Sequence, residues 1–564
     1  MNQEKQKSLI ICTTVLVETS PQAIPLGAAC VASALKADAR LSRFDVALLD
    51  FSLEDDDVQN AQKNGGEDEC AAMIGARLAK KCPTAVCFSV YVWNHTLLEK
   101  VAAKLKNILP DCVCIAGGPE VTADPTNFRF FDFTVAGQGE IAVPELCAKL
   151  FDSNENRDFS IPGVFSKNSQ ENSIQRATPC KMENAPSPYL DGTLDVEKYG
   201  GALWELARGC PFKCSYCYES KGEQKIAYFP LERLKKEIEL FAQKKIAQVF
   251  VLDPTYNANK KRALKMLHII EEKTSKMFFY FEARAEFIDR ELAKAFAKIP
   301  CCLQIGLQSA NPDVLKNVHR TLNKKLFTKN IGFLNDEGVI FGFDLIFGLP
   351  GDTLKGFRSS IDFALSLYPN NLELFCLSVL PGTKLHDDAP KFNLEWQKNP
   401  PYHVIKTPTF SQTDIARALR LAKATNIFYN DGRAVPWFNS ILRVLKENAS
   451  RFLEDFADFL EKIQIEELDS EKIEKIQKDF VKEKFHEKKI DRLFLVANDL
   501  ISIHGALGRC TADGTKSTFF VNYYPDDLLS VYATDIAFFS SHAQKKRYKV
   551  NVFFGKNGVD WKIL

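Results

Sequence analysis

The sequence predicts an α/β protein: a doubly wound, flavodoxin- or Rossmann-like parallel sheet, then a partial (β/α)6 barrel of the TIM type, then a smaller α+β C-terminal domain. Three observations carry this. Short apolar stretches rich in β-branched and aromatic residues alternate with helix-type stretches up to about residue 395. A Pro-, Ser- and Asn-rich segment at 151–200 cuts that alternation in two. From 396 onward the alternation gives way to long helical patterns and then to strand-like runs between Gly and Asp turns.

In residues 1–150, SLIICTTVLV, DVALLDFS, AVCFSVYVW, VCIAGG and DFTVAG read as five strands. LGAACVASALKA, ECAAMIGARLAKK and HTLLEKVAAKLKNIL repeat their apolar residues at helical spacing between them. Near-continuous apolar strands are those of a parallel sheet covered on both faces, whose ligands bind at the strand carboxyl ends. Residues 151–200 read as a linker. From 201 to 395, ALWELARG, QVFVLDPTY, FYFEARAE, CLQIGLQS, FGFDLIFGLPG and LELFCLSVLPGT are six strand-plus-loop units with helices between them. Six are too few to close an eight-stranded barrel but suit a partial one, with chemistry at the strand C-termini. In 396–564, ARALRLAKATNIFY and FNSILRVLKENASRFLEDFADFLEKI read as long helices, and 461–490 as an amphipathic helix pair. RLFLVANDLISIHG, STFFVNYYPDDLLSVY and YKVNVFFG read as strand-like.

Composition narrows the class. Of 564 residues, 46% are hydrophobic and 26% charged, as in a soluble globular protein. The net charge of +1 gives no global attraction to nucleic acid or an anionic membrane. The apolar run near the start is too short to span a bilayer and lacks a small-residue cleavage site, so a cytoplasmic location is expected. Sixteen cysteines without a signal peptide point to a reducing compartment, and most sit singly in apolar runs as small buried hydrophobes.

One group is different. RGCPFKCSYCYES, from Arg208 to Ser220, holds Cys210, Cys214 and Cys217, with no fourth cysteine or histidine at zinc spacing. A structural zinc takes four protein ligands, as does an electron-carrying cubane cluster. Three thiolates on a 4Fe-4S iron–sulfur cluster leave one iron open, and an open metal position marks substrate binding. Tyr216, just before the third cysteine, is placed to cover the cluster or touch a neighbouring ligand.

This motif resembles that of the radical S-adenosylmethionine (radical SAM) enzymes. The resemblance implies that SAM itself occupies the open iron and is cleaved there to a 5′-deoxyadenosyl radical. It further implies SAM-binding roles for Asp253 at the end of VFVLDPTYN, and for Glu282 and Arg284, which alternate onto one face in FEARAEF. In IGLQSANPDVLKNVHR, Gln308 and Ser309 are expected at the barrel mouth. GFDLIFGLPGDT supplies Asp344 and a glycine loop containing Gly348 and Gly351, and LPGT at 380–383 resembles the end of the sixth strand.

The first domain resembles the cobalamin-binding domain that precedes the barrel in one branch of these enzymes. The matching phrases are IPLGAACVASAL, FSVYVWN, AGGPEVTADP and VAGQGEIAVPEL. They put Ser89, Asn94, Gly117, Gly118, Gly137, Gly139 and Glu140 at strand-to-helix turns, where the resemblance implies contact with the corrinoid. The loop after the first strand, LVETSPQAIPLG, has no histidine to ligate cobalt from below, and His95 reads as a helix-start or surface residue.

The resemblance spans roughly 8–385. It implies a cobalamin-dependent radical SAM enzyme, most simply a C-methyltransferase acting on a small-molecule or peptide substrate. Such an enzyme draws its electron from a donor such as flavodoxin or ferredoxin. A radical cyclase, rearrangement or oxidation enzyme, and a non-catalytic corrinoid or electron carrier, are the alternatives.

Overall fold

The computed structural model describes residues 8–152, 159–167, 174–219, 225–274, 276–463, 468–555 and 558–564. Strands β1 (Ser8–Leu16), β2 (Phe44–Ser52), β3 (Ala85–Ser89), β4 (Val113–Gly117) and β5 (Phe133–Val135) form a parallel sheet. Its order is β2-β1-β3-β4-β5, extended by β6 (Val164–Ser166). Alternating side chains of β1 go to opposite faces. Ile11 and Val15 pack with the helices at 56–79 and 95–108, while Ile10 and Cys12 pack with those at 26–37 and 139–150. Both faces are therefore covered, and only the strand ends remain free for ligands.

β6 is a correction: it comes from the segment read as linker and pairs antiparallel to β5. Its three residues are too short for a periodic signal.

The second sheet holds β7 (Gly201–Trp204), β10 (Gln248–Val251), β11 (Phe278–Ala283), β12 (Cys301–Gln308), β13 (Ile340–Phe347) and β14 (Asn371–Cys376). All pairings are parallel, in the order β14-β13-β12-β11-β10-β7. Between the first two lies a short antiparallel pair, β8 (Ala207–Arg208) with β9 (Ala227–Tyr228). Phe279, Phe281, Leu303, Ile305, Phe341 and Phe343 are buried between the strands and the outer helices. The alternate positions, Tyr280, Glu282, Gln304 and Asp344, turn to the lumen.

After the barrel come a small hairpin, β15 (Glu395–Trp396) with β16 (Val404–Lys406), and five helices at 412–425, 438–445, 449–462, 470–487 and 494–513. The chain closes with an antiparallel sheet of β17 (Ser517–Val521), β18 (Tyr548–Gly555) and β19 (Gly558–Ile563). Four readings change here. FNSILRVLKENASRFLEDFADFLEKI forms two helices, 438–445 and 449–462, broken by left-handed Lys446. In STFFVNYYPDDLLSVY only Ser517–Val521 is a strand, while Pro525–Leu529 is helical. RLFLVANDLISIHG is helical, because Val496, Leu500 and Ile503 and also Ala497 and Ile501 recur on one buried face within an unbroken apolar run. The segment at 461–490 holds one long helix, 470–487, rather than a pair, and residues 464–467 lie outside the described residues. Among the described residues, no helix is long and apolar enough to cross a membrane.

The C-terminal region also reaches back to the first domain. The Tyr402 hydroxyl, next to the hairpin, donates to Glu120 Oε2 at 2.7 Å, and His95 Nδ1 lies 2.8 Å from the same oxygen. His95 thus opens the helix at 95–108, as expected, and stacks on Phe128.

Candidate active site

The cysteine loop leaves the barrel after β7. Asp253, at the end of β10, accepts the N–H groups of Leu206 and Ala207, each at 2.9 Å. Burial pushes its carboxyl up to about 7, against the pull of those two N–H groups. Expected beside SAM, its Oδ1 is instead committed to the backbone that carries the cysteines. Gly209 (φ +93) turns the chain into Cys210. Cys210 and Cys214 are buried and Cys217 half-buried. The Cys217 N–H donates to the Cys214 carbonyl at 3.1 Å, which curls the loop. Ser215 anchors it on both sides, its N–H to Val318 O at 3.1 Å and its carbonyl to the Leu385 N–H at 2.8 Å.

Arg320, unassigned from sequence, brings Nη1 to 3.8 Å from Cys214 Sγ and also holds the Gly306 carbonyl. Among the described residues, no three His, Cys, Asp or Glu side chains gather as one metal ion requires.

The lumen is acidic. Burial pushes the Glu282 carboxyl from its ordinary 4.5 to about 7, reinforced by Asp344 and Glu219. Glu282 still keeps open surface at the barrel mouth. Asp344 is raised from 3.8 to about 6, by burial first, although Gln304 Nε2 donates to it at 2.5 Å. Both carboxyls hold protons in the folded state at pH values where the unfolded chain has released them. Folding therefore loses stability from them as pH rises from about 4 to about 7. Ligand-free Glu282→Gln and Asp344→Asn should each gain thermal stability relative to the parent across that window, measured as a pH series of melting temperatures. A difference that stays flat from pH 4 to 8 would refute this.

Arg284 does not share the open face with Glu282. It is buried, with its guanidinium 3.9 Å from the Phe212 ring of the cysteine loop and Nε 2.7 Å from Glu286 Oε1. Its role here is to brace the loop. Gln308 sits at a register shift with φ +66, and its Oε1 is buried without a hydrogen-bond partner. Strain plus an orphaned acceptor at a strand end fits a missing ligand donor. Ser309 faces away from the mouth, where its Oγ accepts the Asn311 N–H at 3.1 Å. Gly348 (φ +82) makes room for Val404, whose Cγ1 would lie 2.6 Å from an added Cβ. Tyr216 packs half-buried against the core beside the loop.

A cavity of about 1020 Å3 lies between the strand ends of the first sheet and the barrel mouth. That is at the upper end for organic ligands and suits a bulky one. Ser89, Gly117, Gly118, Gly137, Gly139 and Glu140 line it. Asn94 does not: its Nδ2 donates to Val15 O at 2.9 Å and Thr14 Oγ1 at 3.0 Å, and its Oδ1 accepts the Tyr91 N–H at 2.8 Å. It shapes the loop that carries Tyr91 and Trp93, whose rings stack 4.6 Å apart on the cavity wall.

From the barrel side the wall includes Glu205, Arg208, Leu252 and Tyr218. Arg208 Nη1 binds Glu140 Oε1 at 2.7 Å and its Nη2 binds Glu205 Oε2 at 2.8 Å. Glycines against strand ends, an aromatic ledge and mostly apolar walls fit a corrinoid. The three-thiolate loop, which runs between the wall residues Arg208 and Tyr218, fits a cluster.

The family model described as the B12 binding domain matches residues 13–147, and that of the radical SAM superfamily matches 204–364. The two domains these residues build are thus a B12-binding sheet and a radical SAM barrel. The chain thus joins a region that matches the B12 binding domain to one that matches the radical SAM superfamily, each by its own family model. Residues 390–502 match a family described only as a protein of unknown function (DUF4080).

The cobalamin-dependent radical SAM methyltransferase TokK of Streptomyces tokunonensis is 29% identical over 341 residues, covering 54% of this chain and 48% of that protein. The 2-(S-pantetheinyl)-carbapenam-3-carboxylate methyltransferase of Streptantibioticus cattleyicolor is 28% identical over the same length, with the same coverage. The chain thus spans about half the length of these curated relatives. Among solved structures, the radical SAM methyltransferase TsrM from Kitasatospora setae superposes with TM-score 0.55 at 17% identity, covering 71% of this chain and 80% of that one. The cobalamin-dependent radical SAM enzyme OxsB gives 0.56 at 14%, covering 86% and 80%. At such identities these two show the shared fold.

Proposed function

We propose that the protein is a cobalamin-dependent radical SAM methyltransferase that places a methyl group on an unactivated carbon of a small organic substrate. The observation that carries this is the shared wall: Arg208 and Tyr218, which flank the three cysteines, line the same cavity as Gly117, Gly118 and Glu140 of the first domain. One cavity therefore borders both the first domain's strand ends and the segment that carries the cysteines. When bound, the cluster with SAM supplies a carbon-centred radical, and the corrinoid supplies a transferable methyl group.

The chain's own work is positional. Cys210, Cys214 and Cys217 would hold the cluster, on a loop fixed by Asp253, Arg284 and Ser215. Arg320 places a positive charge beside Cys214. Glu282, Gln308 and Asp344 offer acceptors around the barrel mouth for the hydroxyl and amino groups of SAM. Leu252, Trp93 and the apolar cavity walls exclude water, which keeps a radical from being quenched. The supply of one electron falls to a small reducing protein such as flavodoxin or ferredoxin.

The test is anaerobic reconstitution with iron, sulfide and hydroxocobalamin, then desalting, metal analysis and incubation with methyl-labelled SAM. Co-retention of iron and cobalt, with label passing to the bound corrinoid, is the expected result. Iron without cobalt would end the methyl-transfer reading and leave a radical enzyme of another type.

A further inference from the structure

We propose that Arg208 is a positioning residue that couples occupancy of the cavity to the conformation of the cysteine loop. The inference rests on the cavity being the corrinoid site. Arg208 stands two residues before Cys210, with only the left-handed Gly209 between them. Its guanidinium spans the domain boundary. On one side Nη1 reaches Glu140 Oε1 at 2.7 Å and Gln138 Oε1 at 3.3 Å, at the start of the helix at 139–150. On the other, Nε and Nη2 grip Glu205, at 3.1 and 2.8 Å, just after β7.

The side chains of Arg208, Glu140 and Glu205 are only 16%, 6% and 24% exposed. A planar fork held by two carboxylates in so little water has one good orientation. The wall that a corrinoid would press on and the backbone that carries the first cysteine therefore move together or break a buried ion pair. Removing the arginine leaves two carboxylates facing each other across the boundary, which frees the wall from the loop.

Coupling of this kind is reciprocal and is read as a change at one site on filling the other. The probe is hydroxocobalamin, added to the anaerobically reconstituted full-length protein. The readout is hydrogen exchange at the Ser215 and Cys217 amides, the first bonded to Val318 O beyond the loop and the second to Cys214 O within it. In the parent, cobalamin should slow their exchange by about tenfold, within the range usual for coupled sites. In Arg208→Ala the slowing should fall below about twofold at equal cobalt content, with iron retained, and Arg208→Lys should restore only part of it.

Should Arg208→Ala fail to fold or to take cobalt, Glu140→Gln decides, because it keeps the Glu205 pair and weakens only the cavity side. Slowing equal to the parent's in the deciding variant overturns the coupling alone. A parent that takes up no cobalt overturns the cavity reading, and the coupling with it.

Discussion

Cys210→Ala should lose its iron and keep its cobalt. Cys210 is buried at the start of the loop, and two thiolates hold a cube far less well than three, whereas the cavity wall contains none of the three cysteines. Cleavage of SAM should fall by at least about 10³-fold, equivalent to ~4 kcal/mol of lost transition-state stabilisation. The visible spectrum of the purified variant should show the corrinoid bands without the broad iron–sulfur absorption. Iron content equal to the parent's would mean that a different residue completes the site. Simultaneous loss of both metals would mean that the first domain does not stand without the cluster.

Gly118→Ala should do the reverse, keeping iron and losing cobalt. Gly118 has φ +111, and an added Cβ would lie 2.5 Å from the Val90 carbonyl oxygen and 2.9 Å from its nitrogen. Both are backbone atoms and cannot swing aside. Val90 lies between Ser89 and Tyr91, so the displaced segment is the cavity wall itself. Strain at such a φ costs ~1–3 kcal/mol before the clash is counted. Gly192→Ala is the control: its φ is +74, but no atom lies within 4 Å of the added Cβ. Metal analysis and melting curves on both variants separate local strain from loss of the cavity. Full cobalt in Gly118→Ala would contradict the assignment of this turn.

Much of this architecture is legible because parallel strands buried on both faces read as continuous apolar runs, as SLIICTTVLV and FGFDLIF do. The three cysteines are legible because their spacing is local. The same logic explains the failures. In RLFLVANDLISIHG a helix buried along much of its surface hides its period inside an unbroken apolar run, and only tertiary packing shows which face is which. The partners of Arg208 and Arg320 were out of reach for another reason. Glu140 lies 68 residues from Arg208, and Cys214 lies 106 from Arg320, so no local pattern joins them. Residues such as Asp253, Arg284, Ser309 and Asn94 were marked by position at strand ends and turns. That property is shared by side chains that touch a ligand and side chains that hold the loops around it. Hydrogen-bond partners separate the two groups, and these four spend theirs on the protein.

The tie between Tyr402 and Glu120 bears on how the molecule can be taken apart. Glu120 lies in the first turn of the short helix that follows Gly118, and the chain around Tyr402 is also stitched to the barrel, through Val379 N–H to Tyr402 O at 2.9 Å and Val404 N–H to Leu377 O at 2.8 Å. A fragment cut near residue 395 would retain both family-matched domains yet leave Glu120 and His95 without their tyrosine, and the pocket beside Gly348 without Val404 and Ile415. The third region is therefore not cargo that can be trimmed from a self-sufficient catalyst. It acts as scaffolding for the other two, with the Tyr402–Glu120 hydrogen bond as the tie to the first domain.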